Sequence, residues 1–100
     1  MSYSYALAER GTTLATRPLG RLLREDLIRD AAEEDVAVLD FSGVSGTSHS
    51  FADEFVAHLA EEVRDGKQSF SLAIHSASPD VERVIRKALQ RREVEVPVVV

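Results

Sequence analysis

A chain of 100 residues, 44% hydrophobic and 29% charged, has the make-up of one small globular domain rather than a disordered or membrane-spanning protein. Its net charge of -5, from 17 acidic against 12 basic residues, argues against a sequence-independent nucleic-acid binder, which needs a basic footprint. Zero cysteines remove disulfides, thiolate catalysis and cysteine-based zinc sites.

The start, Met1-Ser2-Tyr3-Ser4, lacks the basic region and apolar core of a secretory signal, so a cytoplasmic address is expected. No apolar run approaches the ~20 residues that cross a bilayer, and no membrane role is expected. Along Tyr3 to Thr16, Tyr3, Tyr5 and Leu7 alternate with small or polar residues, Gly11 interrupts, and strand-like content resumes at Thr12 to Ala15. This predicts a short hairpin. Pro18 suits a first helical turn, and Leu19, Leu22, Leu23, Leu27 and Ala31 recur at three- and four-residue intervals, predicting an amphipathic helix. Val36 to Leu39 is an unbroken apolar run, which predicts a strand covered on both faces in the middle of a sheet.

Ser42 to Ser50 is a small, polar loop in which Gly43 and Gly46 are expected to make the turn. After it, Phe51, Phe55, Leu59 and Val63 form an apolar row, predicting a helix over 51–65 that turns Asp53, Glu54, His58, Glu61 and Glu62 outward. Ser50 is the expected N-cap, Asp53 the capping-box acid, and Gly66 the stop. Phe70 to Ile74 predicts a second strand. Ser78-Pro79-Asp80 then opens a helix with the buried stripe Val81, Val84, Ile85, Ala88 and Leu89, with Arg91 and Arg92 at the negative end of its dipole. Val94, Val96, Val98 and Val100 alternate around Pro97, which removes a ladder donor and assigns this strand to a sheet edge. The order of elements implies an α/β sandwich with some parallel pairing.

If the central strands are parallel, the loops after them share one edge of the sheet, which collects Ser48, His49 and Ser50 with His75, Ser76 and Ser78. The simplest reading is structural: glycines turn the chain, Ser50 caps the helix, and the other serines are solvated. A second is phosphorylation of Ser48 or Ser50, favoured by helix N-terminal N–H groups and opposed by Asp53 and Glu54. A third is a small serine hydrolase using His49 or His75 with Asp40 or Asp80, although the glycines do not match a nucleophile elbow. His49, His58 and His75 lack short ligand spacing, so no metal is expected. Gly43-Val44-Ser45-Gly46 lacks the dinucleotide fingerprint and the P-loop lysine, so no cofactor is expected. The weakly charged end Val98-Val99-Val100 offers an alternative role, a homodimer or self-associating module built by edge pairing.

Leu39-Asp40-Phe41-Ser42-Gly43-Val44, followed by Ser48-His49-Ser50-Phe51-Ala52-Asp53-Glu54-Phe55, resembles the STAS-like domain family of unknown function, relatives of bacterial anti-sigma-factor antagonists. Thr16-Arg17 before the first helix also resembles it. The likeness extends over essentially the whole chain and is concentrated in residues 38 to 60. It implies a single domain, 1–100, with a STAS-like sandwich of a four- to five-stranded mixed sheet and about three helices, and no enzymatic activity. It also implies a regulatory module that binds a histidine-kinase-type ATPase or an anti-sigma factor through the loop and helix at 45–62. His49, Phe51, Asp53, Glu54 and His75 are then the expected partner contacts, and serine phosphorylation the expected switch. The antagonist pattern Asp-Ser-Ser-Gly is replaced here by Ser48-His49-Ser50-Phe51, which places His49 at the acceptor position with Ser48 and Ser50 on either side. Asp53, Glu54, Glu61 and Glu62 are expected to steer a basic partner surface.

Overall fold

The computed structural model describes residues 1–99. The chain runs through β1 (Ser2–Ala6), a 3-10 turn (Leu7–Glu9), β2 (Thr13–Leu14), α1 (Arg17–Asp30), β3 (Val36–Asp40) and β4 (Gly46–Thr47). It continues through α2 (His49–Ala52), a π-helical segment (Asp53–Ala57), α3 (His58–Arg64), β5 (Ser71–His75), α4 (Pro79–Arg91) and β6 (Val98–Val99). α2, the π segment and α3 form one uninterrupted helix over 49–64, so the architecture is α/β with three helices.

The main sheet has the order β1-β3-β5-β6, and every pair in it is parallel. It is therefore not mixed. Nor is there an N-terminal hairpin: β1 pairs with β3, while β2 pairs with β4 in a separate two-stranded sheet. The reason lies between the two strands, where Leu7 is drawn wholly into the core and Arg10 donates to the Ala6 carbonyl oxygen at 3.0 Å. The chain turns away from β1 instead of doubling back along it. β1 is also held from above, because the Tyr5 and Tyr3 hydroxyls donate to Asp26 (2.8 Å) and Asp30 (3.2 Å) on α1. Burial and the bond to Asp26 push the Tyr5 phenol well above its ordinary pKa.

Strand order follows chain order, so each right-handed crossover moves the same way and lays its helix on the same face of the sheet. Burial follows this asymmetry. In β3, Ala37 and Leu39 are fully buried while Val36, Val38 and Asp40 are only half-buried. β3 is central, as expected, but it is packed by helices on one face alone. The covered face presents rows such as Tyr5, Leu39 and Ile74 in register to Phe51 and Phe55, whose rings stack at 5.4 Å, with Phe55 at 6.1 Å from Tyr5.

α4 buries the expected Val81, Ile85, Ala88 and Leu89. In α1 the inward face is Gly20, Leu23, Arg24 and Leu27, so Leu22 is left 61% exposed. Gly20 lies where α1 crosses the 49–64 helix, and a Cβ there would stand 3.1 Å from the Glu54 Cβ and 3.3 Å from the Phe51 carbonyl oxygen. The α4 N-terminus has the expected form, with the Ser78 hydroxyl accepting from the Val81 N–H and Pro79 at the first helical position. β6 lies at the sheet edge, and Pro97 precedes it, contributing its carbonyl to the Ile74 N–H at 2.9 Å. Val99 is half exposed there; Val100 lies outside the described residues. Among the described residues, no helix is long and apolar enough to cross a membrane.

Candidate functional site

Because β1, β3 and β5 are parallel, the connections that follow them leave the sheet at the same edge, where α/β folds place their sites. The β2–β4 pairing joins the first of these connections to the second, matching Thr13 with Gly46 and Leu14 with Thr47. The Ser45 N–H donates to the Thr12 carbonyl (2.7 Å) and the Ser48 N–H to that of Leu14 (2.9 Å). The turn after β3 is set by the Asp40 carboxylate, which accepts from the Ser42 N–H at 3.0 Å, and by Gly43 at φ +82. A side chain at Gly43 would be strained and would meet the Ala8 Cβ at 3.2 Å. Gly46, expected to help make that turn, instead lies within β4.

The helix starts two residues earlier than its apolar row suggests. Ser48, extended at φ -84 and ψ 162, is the N-cap: its hydroxyl accepts from the Phe51 N–H at 3.0 Å and donates to the Ala15 carbonyl at 2.6 Å. Ser50 already lies in the first helical turn, where its own N–H is one of those needing a partner, so it cannot be the cap. Its hydroxyl makes no hydrogen bond among the described residues and is half-buried. His49 is exposed. Phe51 is fully buried against Phe55, which corrects its assignment as a partner contact.

The acidic residues are corrected as well. Asp53 receives the Arg92 guanidinium through Nε (2.6 Å) and Nη2 (2.9 Å) and Arg17 Nη1 at 2.7 Å. Arg92 Nη1 also reaches Glu61 at 2.6 Å. Arg24, nearly buried, donates to both the Glu54 side chain (2.8 Å) and the Glu54 carbonyl oxygen, and its Nε lies 3.8 Å from Glu62. Arg92 holds the Asp53 carboxyl far below the usual carboxylate range, with Arg17 assisting, and Arg24 lowers that of Glu54. These four acids are therefore bound between α1 and α4 rather than presented to a basic partner. Asp53 and Glu54 open the π segment, and the Glu54 carbonyl within it is the one that Arg24 takes up. His58 Nδ1 and Glu62 Oε2, 3.6 Å apart, are buried without a hydrogen bond.

His75 stands beside Asp40 in the β3–β5 register, and strand alternation turns both toward the helix-free face. The structure thus gathers Ser48, His49 and Ser50 at one edge and leaves His75 around the corner. Among the described residues no hydrogen bond joins His49 or His75 to a serine or aspartate, and no three acids or histidines come together as a metal-ligand set. The arginines that organise the site are Arg17, Arg24 and Arg92; Arg17 stood only within the family resemblance and Arg92 only as a helix-end cation, and neither position signalled the acids it binds. For Arg24 there was a positional signal, since it falls in the inward row with Gly20 and Leu27.

The family model described as a STAS-like domain of unknown function (DUF4325) matches residues 20–82, a span that runs from α1 to the first turn of α4 and includes the whole Ser42–Ser50 loop. No curated protein and no solved structure matches the chain. The matched span is well over half of the sequence, and the chain belongs to the STAS-like domain family of unknown function.

Proposed function

We propose that the chain is a regulatory protein-interaction module that binds a partner through the loop edge around His49 and Ser50 and has no catalytic chemistry of its own. The observation that carries this reading is the convergence of the connections after β1 and β3, tied by the β2–β4 pairing into one surface bearing exposed Ser42, Ser45 and His49. The resemblance to anti-sigma-factor antagonists supplies the class of partner, a histidine-kinase-type ATPase or an anti-sigma factor.

Ser50 is the better candidate for modification. Ser48 is occupied in both hydrogen-bonding directions, so a phosphoryl group there would break the link between Ala15 and the helix start. A phosphoryl group on Ser50 would sit at the positive end of the 49–64 helix. The repulsion expected from Asp53 and Glu54 is offset by the arginines already bound to them, among them half-exposed Arg17, which holds Asp53, one helical turn on from Ser50.

The test is co-purification of partners by wild type, by His49→Ala and Ser50→Asp variants, and by Arg83→Glu, a control at an exposed position of α4, with quantitative mass spectrometry. The expected result is an ATPase-type partner held by wild type and Arg83→Glu, and reduced roughly tenfold or more, about 1.4 kcal/mol, by His49→Ala and Ser50→Asp. Equal recovery by all four proteins overturns the reading.

A further inference from the structure

An open cleft lies at the other end of β5. The sheet is incomplete there: β6 pairs only with Ile74 and His75, so Ser71 to Ala73 have no strand neighbour on that side. In β5, Ser71 and His75 exchange backbone hydrogen bonds with β3 and its flanks, which by parallel-ladder alternation turns the N–H and C=O of Leu72 the other way. They face an open cleft of about 1280 Å³ bounded by α3, the end of α4 and the 94–97 connection. Its floor is apolar, made by Leu72, Leu89 and Val94, each nearly buried. This is larger and more open than the roughly 300–1,000 Å³ of a small-molecule pocket.

The rim is charged but unbalanced. Arg64 is engaged by Asp65 and Arg86 by Glu82, whereas Glu93 and Glu95 have no cation within salt-bridge distance among the described residues. Glu93 is also held at φ +56, directly after α4, where the Val94 N–H closes on the Leu89 carbonyl at 3.1 Å. Glycine is the usual residue at such a helix end, and a side chain kept there against its backbone preference is a pointer to function.

We propose that this cleft binds an extended partner segment alternating apolar and basic residues. Its backbone pairs with Leu72, an apolar side chain rests on Leu72, Leu89 and Val94, and its lysines or arginines meet Glu93 and Glu95. Strand addition of this kind draws affinity from main-chain bonds and specificity from alternate side chains. The site is separate from the loop edge and stands or falls independently of it.

The experiment is an amide-shift NMR titration of the ¹⁵N-labelled full chain with a blocked pentapeptide alternating lysine and valine, and with its glutamate counterpart. The lysine peptide is expected to shift saturably the amides of Ser71 to Ala73 and Glu93 to Val96, and the glutamate peptide to bind roughly tenfold more weakly. The double variant Glu93→Lys with Glu95→Lys is expected to reverse that order. Glu93→Gly is expected to raise the thermal midpoint by a few degrees while weakening the lysine peptide. No shifts at these amides at millimolar peptide, an equal response to both peptides, or an order unchanged by the charge reversal would each overturn the proposal.

Discussion

Asp53 shows how far a single side chain's role depends on what stands opposite it. Its position on the helix is legible from the apolar row around it, and an outward, partner-seeking acid is the natural reading. Arg92 arrives from 39 residues away and Arg17 from 36, and no local pattern encodes those meetings. The consequence is measurable. Asp53 has a lower pKa folded than its ordinary 3.8, so its contribution to stability is complete above that value and is lost as pH falls through the folded one. Asp53→Asn is expected to cost about 1–3 kcal/mol in urea unfolding at pH 7, because Arg92 loses both hydrogen bonds to a charged acceptor. The gap from wild type should narrow below about pH 4, as the Asp53 carboxylate of the unfolded chain takes up a proton while the folded one stays charged, and should close only as pH falls through the folded value. Asp80→Asn, at an 83% exposed side chain, should change stability by less than about 0.5 kcal/mol at either pH.

At the scale of elements, helix and strand identity were legible where period and caps agreed. α4 is the clearest case, since Ser78, Pro79 and the Val81, Ile85, Ala88, Leu89 stripe all favour one register. The 49–64 helix was legible in its apolar face but not in its start, because Ser48 and Ser50 are equally good caps by residue type. Only the pairing of β4, ending at Thr47, chooses between them. Its π segment was not legible, since no residue pattern in 53–57 marks it off from the α-helical turns on either side. Gly20 records the same contact from the other side. Alanine in a helix interior normally gains up to about 1 kcal/mol over glycine. Here the added methyl would stand within 3.3 Å of a backbone carbonyl and closer still to the Glu54 Cβ. Gly20→Ala is therefore expected to destabilise by about 1–3 kcal/mol through overpacking, lowering the thermal midpoint, whereas Gly46→Ala, with nothing within 4 Å, should not clash. A stabilised Gly20→Ala protein would mean that the two helices can move apart.

For the whole molecule, stability should be distributed by strand position. β3 is the strand flanked along its full length, by β1 and β5, whereas β6 covers only the last two residues of β5 and β1 is an edge. Amide exchange at Ala37 and Leu39 is expected to require global unfolding, while the Val99 amide and the edge-facing amides of β1 exchange through local opening. Hydrogen-exchange NMR would show this order directly, and protection greatest at an edge strand would contradict it. The same one-sided layering explains why a continuous apolar run such as Val36 to Leu39 overstated its burial: composition reports that a strand is central, but the hand of every crossover decides which face receives helices.

By itself the sequence determined the α/β class, the order of the central elements, the helical stripes, the edge character of the last strand and the family resemblance. All of these rest on local period, on turn and capping chemistry, or on contiguous motif residues. Tertiary structure alone decided that the sheet is parallel throughout, that Ser48 rather than Ser50 caps the helix, that Phe51 is out of reach, and that the acidic helix face is neutralised from within. Each of these depends on which distant residues are brought within hydrogen-bonding or packing distance, and that information is absent from any window of the chain short enough to read by pattern.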